Sequence, residues 1–195
     1  MIKALAFIYK KNELSDEEFQ GYYENTHAPL ASSLLTFEDY ERNYIYNNLQ
    51  DMSPLYSALG SISIFKYQSM KSLEIVEEQM SSSKGDTLRE DELNFMNISK
   101  NYFVLTESPD LTEEVFDWKI FCPSTSSNIE ELSILNSIDG LRKISDNLLL
   151  EPSVFSMETI AIPEYGILGE DLVNLDTLKA FLNLPGRWIF TSSMR

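Results

Sequence analysis

The chain has 195 residues, of which 43% are hydrophobic, and its 15 Lys and Arg against 31 Asp and Glu give a formal net charge of −16. This length and apolar content predict one compact unit, or two small fused units, with a sizeable core. The negative charge is spread along the chain, so phosphate backbones and anionic membrane surfaces would repel the protein. We therefore expect neither nucleic acid nor a membrane as a partner.

The chain has a single cysteine, Cys122, and a single histidine, His27. One thiol cannot form an internal disulfide, which favours a reducing, cytoplasmic setting. One Cys and one His also fall short of the about four ligands that a structural zinc site needs, so no metal is predicted. No apolar run approaches the roughly 20 residues of a membrane span.

The N-terminal segment predicts a buried strand followed by a helix with an aromatic face. The apolar run Ala4–Tyr9 is typical of a strand buried on both faces. Ser15 and Glu18 have the spacing of a capping box, which would begin the helix. Pro29 disfavours helical geometry at the residue before it, so we expect the helix to end or kink near His27. The residues at i, i+3, i+4 and i+7 that this helix would bury are Phe19, Tyr22, Tyr23 and Thr26.

The rest of the first half predicts strands and helices in the order of a ferredoxin-like unit, β-α-β-β-α-β. The predicted elements are strands at Arg42–Asn48 and Ser61–Tyr67, a helix at Lys71–Met80, a loop at Ser81–Asp86, a short helical segment at Glu90–Ser99 and a strand at Asn101–Glu107.

The same order of elements then recurs, which predicts a diverged tandem repeat. We therefore expect an α+β protein of two units, residues 1–110 and 111–195. Each predicted sheet has one face without helices, and packing the two bare faces together would leave a space suited to a pocket. The predicted elements of the second unit are strands at Val115–Cys122, within Gly140–Leu150, at Val154–Ile162 and at Gly186–Ser193, and helices at Asn128–Ser137 and within Leu172–Leu184.

The first 107 residues resemble the EthD family of the dimeric α/β-barrel superfamily. The resemblance rests on the opening strand, the Ser-led helix, the aromatic pair Tyr22-Tyr23, the His-Ala-Pro-Leu motif His27–Leu30 and the acidic-aromatic segment Glu90–Glu107. The family's aromatic pair is usually Tyr-Trp, and the second half of this chain has no histidine and keeps only the Gly-Leu-Arg of Gly140–Arg142. Taken with this resemblance, the predicted tandem ferredoxin-like repeats would form an intrachain dimeric α/β-barrel, a pseudo-dimer with one chemically equipped site.

The resemblance also implies an activity: a cofactor-independent enzyme acting on a small hydrophobic carbonyl or phenolic compound of polyketide type. The chemistry would be dehydratase-like, lyase-like or oxygenase-like. His27 would be the general acid or base, because an imidazole with an unperturbed pKa of about 6.5 exchanges protons near neutrality. Tyr22 or Tyr23 would orient the substrate oxygen, and Tyr9, at the end of the first strand, is a third candidate for substrate binding.

Other interpretations remain open at this level. A histidine near a helix end is more often structural, because it caps carbonyls or interacts with the helix dipole. The same barrel could bind a small apolar ligand without catalysis, or be a structural protein whose interior is filled. Haem binding, with His27 as the axial imidazole, is also open, as is a homodimer, because unpaired edge strands invite pairing. Large side chains that could fill the interior are Phe65, Phe103, Trp118 and Trp188.

Overall fold

The computed structural model describes residues 1–45, 58–107, 109–112, 114–125, 135, 140–150, 159–167 and 189–194. Over these residues the protein is α+β, with a curled antiparallel sheet of eight strands and a separate pair of short strands. The helices in this described part lack the length and apolar character that a membrane span requires.

The strands and helices have the following bounds. The strands are β1 Ile2–Tyr9, β2 Asp39–Ile45, β3 Leu59–Tyr67, β4 Tyr102–Glu107, β5 Trp118–Phe121, β6 Ser124–Thr125, β7 Leu141–Ser145, β8 Thr159–Ala161, β9 Glu164–Ile167 and β10 Ile189–Met194. The helices are α1 Asp16–Tyr22, a π-helical segment Tyr23–His27, α2 Ala28–Leu34, α3 Met70–Met80, α4 Ser83–Glu92 and a 3₁₀ turn Ile98–Lys100.

The large sheet has the strand order β4-β1-β3-β2-β10-β5-β9-β7. Strands β4-β1-β3-β2 form the first half of the sheet, and β10 pairs with β2 to continue it. At the far end, the amide of Glu107 in β4 donates to the carbonyl of Leu148 at 2.9 Å, and Leu150 donates to Leu105 at 3.0 Å. Because residues 148–150 begin three residues after the end of β7, these bonds bring the two ends of the curled sheet together.

Strand β1 shows how the sheet separates two apolar cores, because alternate side chains of a strand point to opposite faces. Leu5, Phe7 and Tyr9 point to the inside of the curl, whereas Ala6 and Ile8 point to the helices. We call the first group the interior core: Leu5, Phe7, Tyr9, Ile45, Leu59, Ile62, Ile64, Val104, Phe121, Ile162 and Ile189. We call the second the helix-side core: Ile8, Phe19, Tyr23, Ala28, Ala31, Tyr40, Tyr44, Leu88, Phe95 and Met96.

The prediction that the first helix ends or kinks near His27 is only half right. The capping box of Ser15 and Glu18 is present and begins α1. The helix does not end at His27 but passes through a π-helical turn, in which the Ala28 amide donates to the Tyr23 carbonyl, and continues as α2. A π turn is wider than an α turn, so it accommodates Pro29, whose ring would clash with a carbonyl of the preceding α turn.

The predicted loop at Ser81–Asp86 is wrong, because α4 begins at Ser83. The Ser82 hydroxyl accepts from the Lys84 amide as an N-cap, and Leu88 is buried on the helix-side core. The N-cap and the buried Leu88 thus stabilise a helix although the Ser and Gly residues of this segment favour a loop.

The remaining predicted strands of the first half are confirmed within a few residues, and α3 matches Lys71–Met80. In the second half β5, β7 and β10 fall within or beside their predicted ranges, and β9 is an additional strand. The predicted helix within Leu172–Leu184 and nearly all of that at Asn128–Ser137 lie outside the described residues, as does Trp188.

Candidate functional site

The single histidine lies in the helix layer, at the end of the π-helical segment. The residue is 5% exposed, and its ring packs against two aromatic rings of the helix-side core. The centroids of Tyr23 and Phe95 are each 5.0 Å from that of the imidazole. Tyr23 precedes His27 by four residues, whereas Phe95 comes from the segment after α4, so the ring is held between two separate parts of the chain.

Asp91, at the end of α4, is the hydrogen-bond partner of this imidazole. His27 Nδ1 lies 2.7 Å from Asp91 Oδ2, and the hydroxyl of Tyr22 donates to Asp91 Oδ1 at 2.8 Å. Asn94 in turn donates to the Tyr22 hydroxyl at 3.1 Å. With Nδ1–H donating to the carboxylate, the neutral ring keeps its proton on Nδ1 and presents Nε2 as the basic nitrogen.

Burial and the carboxylate act on the histidine in opposite directions. Burial lowers the pKa of His27, the Asp91 carboxylate raises it, and burial prevails, so the pKa lies below its usual value. The imidazole is therefore neutral at pH 7 and able to accept a proton. Burial and the hydrogen bond to Asp91 raise the pKa of Tyr22, which keeps that hydroxyl protonated.

Tyr23 is fixed by hydrogen bonds of its own on the face of the sheet. Its hydroxyl accepts from the Tyr40 hydroxyl at 2.9 Å and lies 2.9 Å from Ser63 Oγ. Burial raises the pKa of Tyr23, so the group stays neutral. The two bonds attach the π-helical segment to β2 and β3 and thereby position the residue four places further on, His27.

A second attachment joins the same segment to β2 through charge. Arg42 donates to both carboxylate oxygens of Glu24, from Nε at 3.0 Å and from Nη2 at 2.8 Å, and Tyr44 donates to Glu24 Oε1 at 2.5 Å. Burial raises the pKa of Glu24, but the bonds from Arg42 and Tyr44 outweigh it, and the pKa lies below its usual value. Glu24, one turn before His27, therefore bonds to side chains of β2 and not to the imidazole.

The structure brings three of the four predicted site residues together and places the fourth elsewhere. His27, Tyr22 and Tyr23 share the helix layer, whereas Tyr9 belongs to the interior core on the other face of the sheet. There its ring is tilted against that of Tyr102, with centroids 6.2 Å apart. His27 therefore lies outside the space that the curled sheet encloses, because α1 and α2 cover the outer face of the sheet.

Two of the large side chains that could have filled the interior lie elsewhere. Phe65 packs on the helix side, and Phe103 is 68% exposed. The interior core is instead built from aliphatic residues of several strands together with Phe7, Tyr9 and Phe121.

Sequence reasoning missed Asp91. The residue lies in the acidic-aromatic segment Glu90–Glu107 that carries part of the family resemblance, and Asp91 and Phe95 stand four residues apart. That spacing puts an acid and an aromatic ring on one side of a helix end, which is the signal that could have identified them. Over the described part of the chain, no three His, Cys, Asp or Glu side chains are grouped so as to hold a metal ion.

Comparisons with known proteins address the family and the fold. Residues 11–99 match the EthD domain model. No match is found among proteins of curated function. Among solved structures, an EthD family protein from Bacillus halodurans C-125 is 23% identical, with a TM-score of 0.41, and the match covers 55% of this chain and 98% of that one.

Two further solved structures cover nearly the whole chain. An anthrone oxidase-like protein is 10% identical, with a TM-score of 0.57, over 100% of this chain and 91% of its own. A proposed monooxygenase from Lactobacillus acidophilus NCFM is 10% identical, with a TM-score of 0.49, over 98% and 93%. The former shows that the fold extends over both halves of the chain. The EthD match contains the capping box, His27 and Asp91, so residues 11–99 of this chain are similar to the EthD domain.

Proposed function

We propose that the protein is a small-molecule enzyme in which His27 exchanges a proton with a hydrophobic carbonyl or phenolic compound. The observation that carries the proposal is the 2.7 Å contact between His27 Nδ1 and Asp91 Oδ2 within an aromatic, largely buried setting. A carboxylate behind an imidazole selects its tautomer and stabilises the imidazolium that forms when the ring accepts a proton.

The proton transfer follows from the same geometry. His27 Nε2 takes a proton from a carbon next to a carbonyl or from a phenol, the bonding pair stays on the substrate as an enolate or phenolate, and Asp91 stabilises the new positive charge. Returning the proton to another atom completes the reaction. The step needs no organic cofactor, and general acid–base help of this kind is worth roughly 10²–10⁴ in rate.

The tyrosines have positioning roles in this proposal. The Tyr22 hydroxyl donates to Asp91 and therefore orients the carboxylate rather than a substrate oxygen. The Tyr23 hydroxyl is engaged with Tyr40 and Ser63 and orients the π-helical segment. The π-helical turn supports a functional role for this segment, because such turns occur frequently at functional sites.

We propose further that residues 1–110 and 111–195 are two ferredoxin-like units forming one intrachain barrel. The order β4-β1-β3-β2 is that of a ferredoxin-like sheet, and β10-β5-β9-β7 repeats it if β5, β7, β9 and β10 are taken as strands one to four. The two proposed units meet twice, where β2 pairs with β10 and where β4 bonds to residues 148–150. Both contacts support closure of the sheet into a barrel. Only the first unit carries a histidine.

Anthrone is a suitable probe, because its aromatic carbonyl acidifies the methylene protons across the ring and one solved neighbour is described as anthrone oxidase-like. We expect the protein to accelerate exchange of these protons for deuterium under nitrogen, measured by NMR. His27→Gln should reduce the rate to that of buffer, and Asp91→Asn should lower it less. Asp86→Asn, an exposed change on the same helix, is the control and should leave the rate unchanged.

The binding-protein alternative gives a different result in the same experiment. Anthrone would then perturb the spectrum of the protein without any exchange above buffer, in wild type and His27→Gln alike. Retention of the full exchange rate by a folded His27→Gln variant would also contradict the proposal. A Soret band on addition of haemin, lost in His27→Gln, would favour the haem alternative instead.

A further inference from the structure

The last turn of α4 carries a carboxyl group on its buried side. Leu88, Glu92 and Phe95 have the i, i+4, i+7 spacing of one helix face, and Leu88 and Phe95 are 2% and 0% exposed. The helical turn continues past the end of α4, because the Met96 amide still donates to the Glu92 carbonyl at 2.9 Å. Glu92 therefore occupies a position of this face at which an apolar residue would be expected.

This carboxyl group is partly buried, and it makes no hydrogen bond or ion pair with another residue of the described part of the chain. The cation nearest in sequence, Arg89, is engaged elsewhere: it donates to the Met80 carbonyl at 2.9 Å and to Asp86 Oδ1 at 2.8 Å. Burial raises the pKa of Glu92, the charge of Arg89 lowers it less, and Asp91 adds to the rise. An unpartnered acid on a buried helix face costs stability, so packing does not explain its presence.

Glu92 lies beside the groups that hold His27. Its neighbour in the chain, Asp91, binds His27 Nδ1, and Phe95, one turn further on, packs on the imidazole with centroids 5.0 Å apart. Burial is the main cause that raises the pKa of Tyr23, and the charge of Glu92 raises it further, so the carboxyl group lies near the ring on which His27 also packs. Helix α2, which packs on α4, contributes no titratable side chain.

The histidine and this carboxyl group complement each other as proton acceptor and proton donor. The pKa of His27 is lowered by burial, which favours the unprotonated imidazole. The pKa of Glu92 is raised by burial, so its carboxyl group keeps a proton to higher pH than an exposed glutamate does. The same partly apolar setting thus favours the neutral form of both groups, a base and an acid that one reaction can use together.

We propose that Glu92 is the general acid of this site and protonates the substrate oxygen while His27 removes a proton from carbon, an inference that rests on the function proposed above. His27 Nε2 takes the proton, the C–H bonding pair passes into the conjugated π system, and the carbonyl π pair moves to oxygen. That oxygen takes the proton of Glu92, so an enol, an imidazolium and a carboxylate form. Reversal of the step returns one proton to carbon and one to Glu92, so neither group is consumed.

The test follows the exchange of anthrone protons for deuterium over a series of pH values, after subtraction of the buffer rate. In wild type the rate should rise as His27 loses its proton and fall as Glu92 loses its own. Glu92→Gln should lose the fall at high pH and should slow exchange by about tenfold, because an amide donates a hydrogen bond but no proton. A purely structural role of Glu92 would leave the shape of the pH profile unchanged.

Glu92→Leu provides a second readout, because leucine suits a buried helix face. At pH 7.5 its urea midpoint should be no lower than that of wild type, whereas exchange should slow by about 10²-fold. If this variant does not fold, the pH profile of Glu92→Gln decides. Glu90→Gln, an exposed change of the same charge two residues away, is the matched control and should keep the wild-type rate and pH profile.

The outcomes separate this inference from the proposed function. Wild-type exchange and an unchanged pH profile in both Glu92 variants, with His27→Gln inactive, would overturn the inference and leave the role of His27 intact. A loss of rate in Glu90→Gln equal to that in Glu92→Gln would also overturn it, because surface charge would then explain both. Full exchange in His27→Gln would contradict the proposed function itself and this inference with it.

Discussion

The imidazole of His27 and the carboxylate of Asp91 meet at 2.7 Å although 64 residues separate them in the chain. The contact joins the π-helical segment to the end of α4, and Phe95, one turn beyond Asp91, packs on the same ring. The pair thus fixes both the location of the imidazole and the nitrogen that carries its proton.

The first prediction concerns the titration of His27. Because burial lowers its pKa more than Asp91 raises it, the imidazole should titrate below about 6.5. Asp91→Asn removes the opposing influence and should lower the pKa further. The chain has one histidine, so its ring signals in a pH series of NMR spectra need no assignment. A wild-type pKa above 6.5 would show that Asp91 raises the pKa of His27 more than burial lowers it.

The second prediction is the matching dependence of stability on pH. The folded pKa of His27 is depressed, so the unfolded chain binds the proton first as the pH falls. Stability should therefore decline as the pH falls through about 6.5 towards the folded value, with no contribution from His27 at higher pH. Urea unfolding should show that the free energy of unfolding falls less between pH 7.5 and pH 5.5 in His27→Gln than in wild type. An identical loss of unfolding free energy in both proteins would show that His27 does not cause the pH dependence.

The third prediction tests the buried ion pairs of the interior. Lys119→Met leaves Glu41 and Glu164 without their shared ammonium and should reduce the free energy of unfolding by about 3–5 kcal/mol. Lys71→Met, at an exposed position of α3, is the control and should change it by less than about 0.5 kcal/mol. Chemical denaturation measures the free energy of unfolding of both variants. Similar losses in the two variants would show that the ammonium of Lys119 does not stabilise the buried carboxylates.

The fourth prediction uses two glycines with opposite surroundings. A Cβ on Gly60 in β3 would lie 2.5 Å from the Phe19 ring, whereas a Cβ on Gly21 in α1 meets nothing within 4 Å. Gly60→Ala should therefore destabilise by about 1–3 kcal/mol through overpacking of the helix-side core. Gly21→Ala should stabilise by up to about 1 kcal/mol, because alanine favours the helix. A shift of the melting temperature in the same direction for both would contradict the packing of Phe19 on β3.

Much of the first half could be predicted from sequence because its signals are local. The Ser15–Glu18 capping box and the apolar alternation of β1 and β3 each depend on residues within one turn or one strand. The loop predicted at Ser81–Asp86 failed because a buried Leu88 outweighed the polar composition of the segment. The helix expected to end or kink near His27 continues through a π turn, which accommodates Pro29.

The sequence by itself determined the α+β class, the order of strands and helices in the first half, and the membership of His27 in a recognisable motif. Only the tertiary structure decided that the imidazole lies under the helices rather than between sheets, that Asp91 is its partner, and that lysines and carboxylates share the interior at one end. The physical reason is distance along the chain: helix caps and strand alternation are set by neighbours, whereas ion pairs and buried hydrogen bonds depend on which remote segments the sheet brings together.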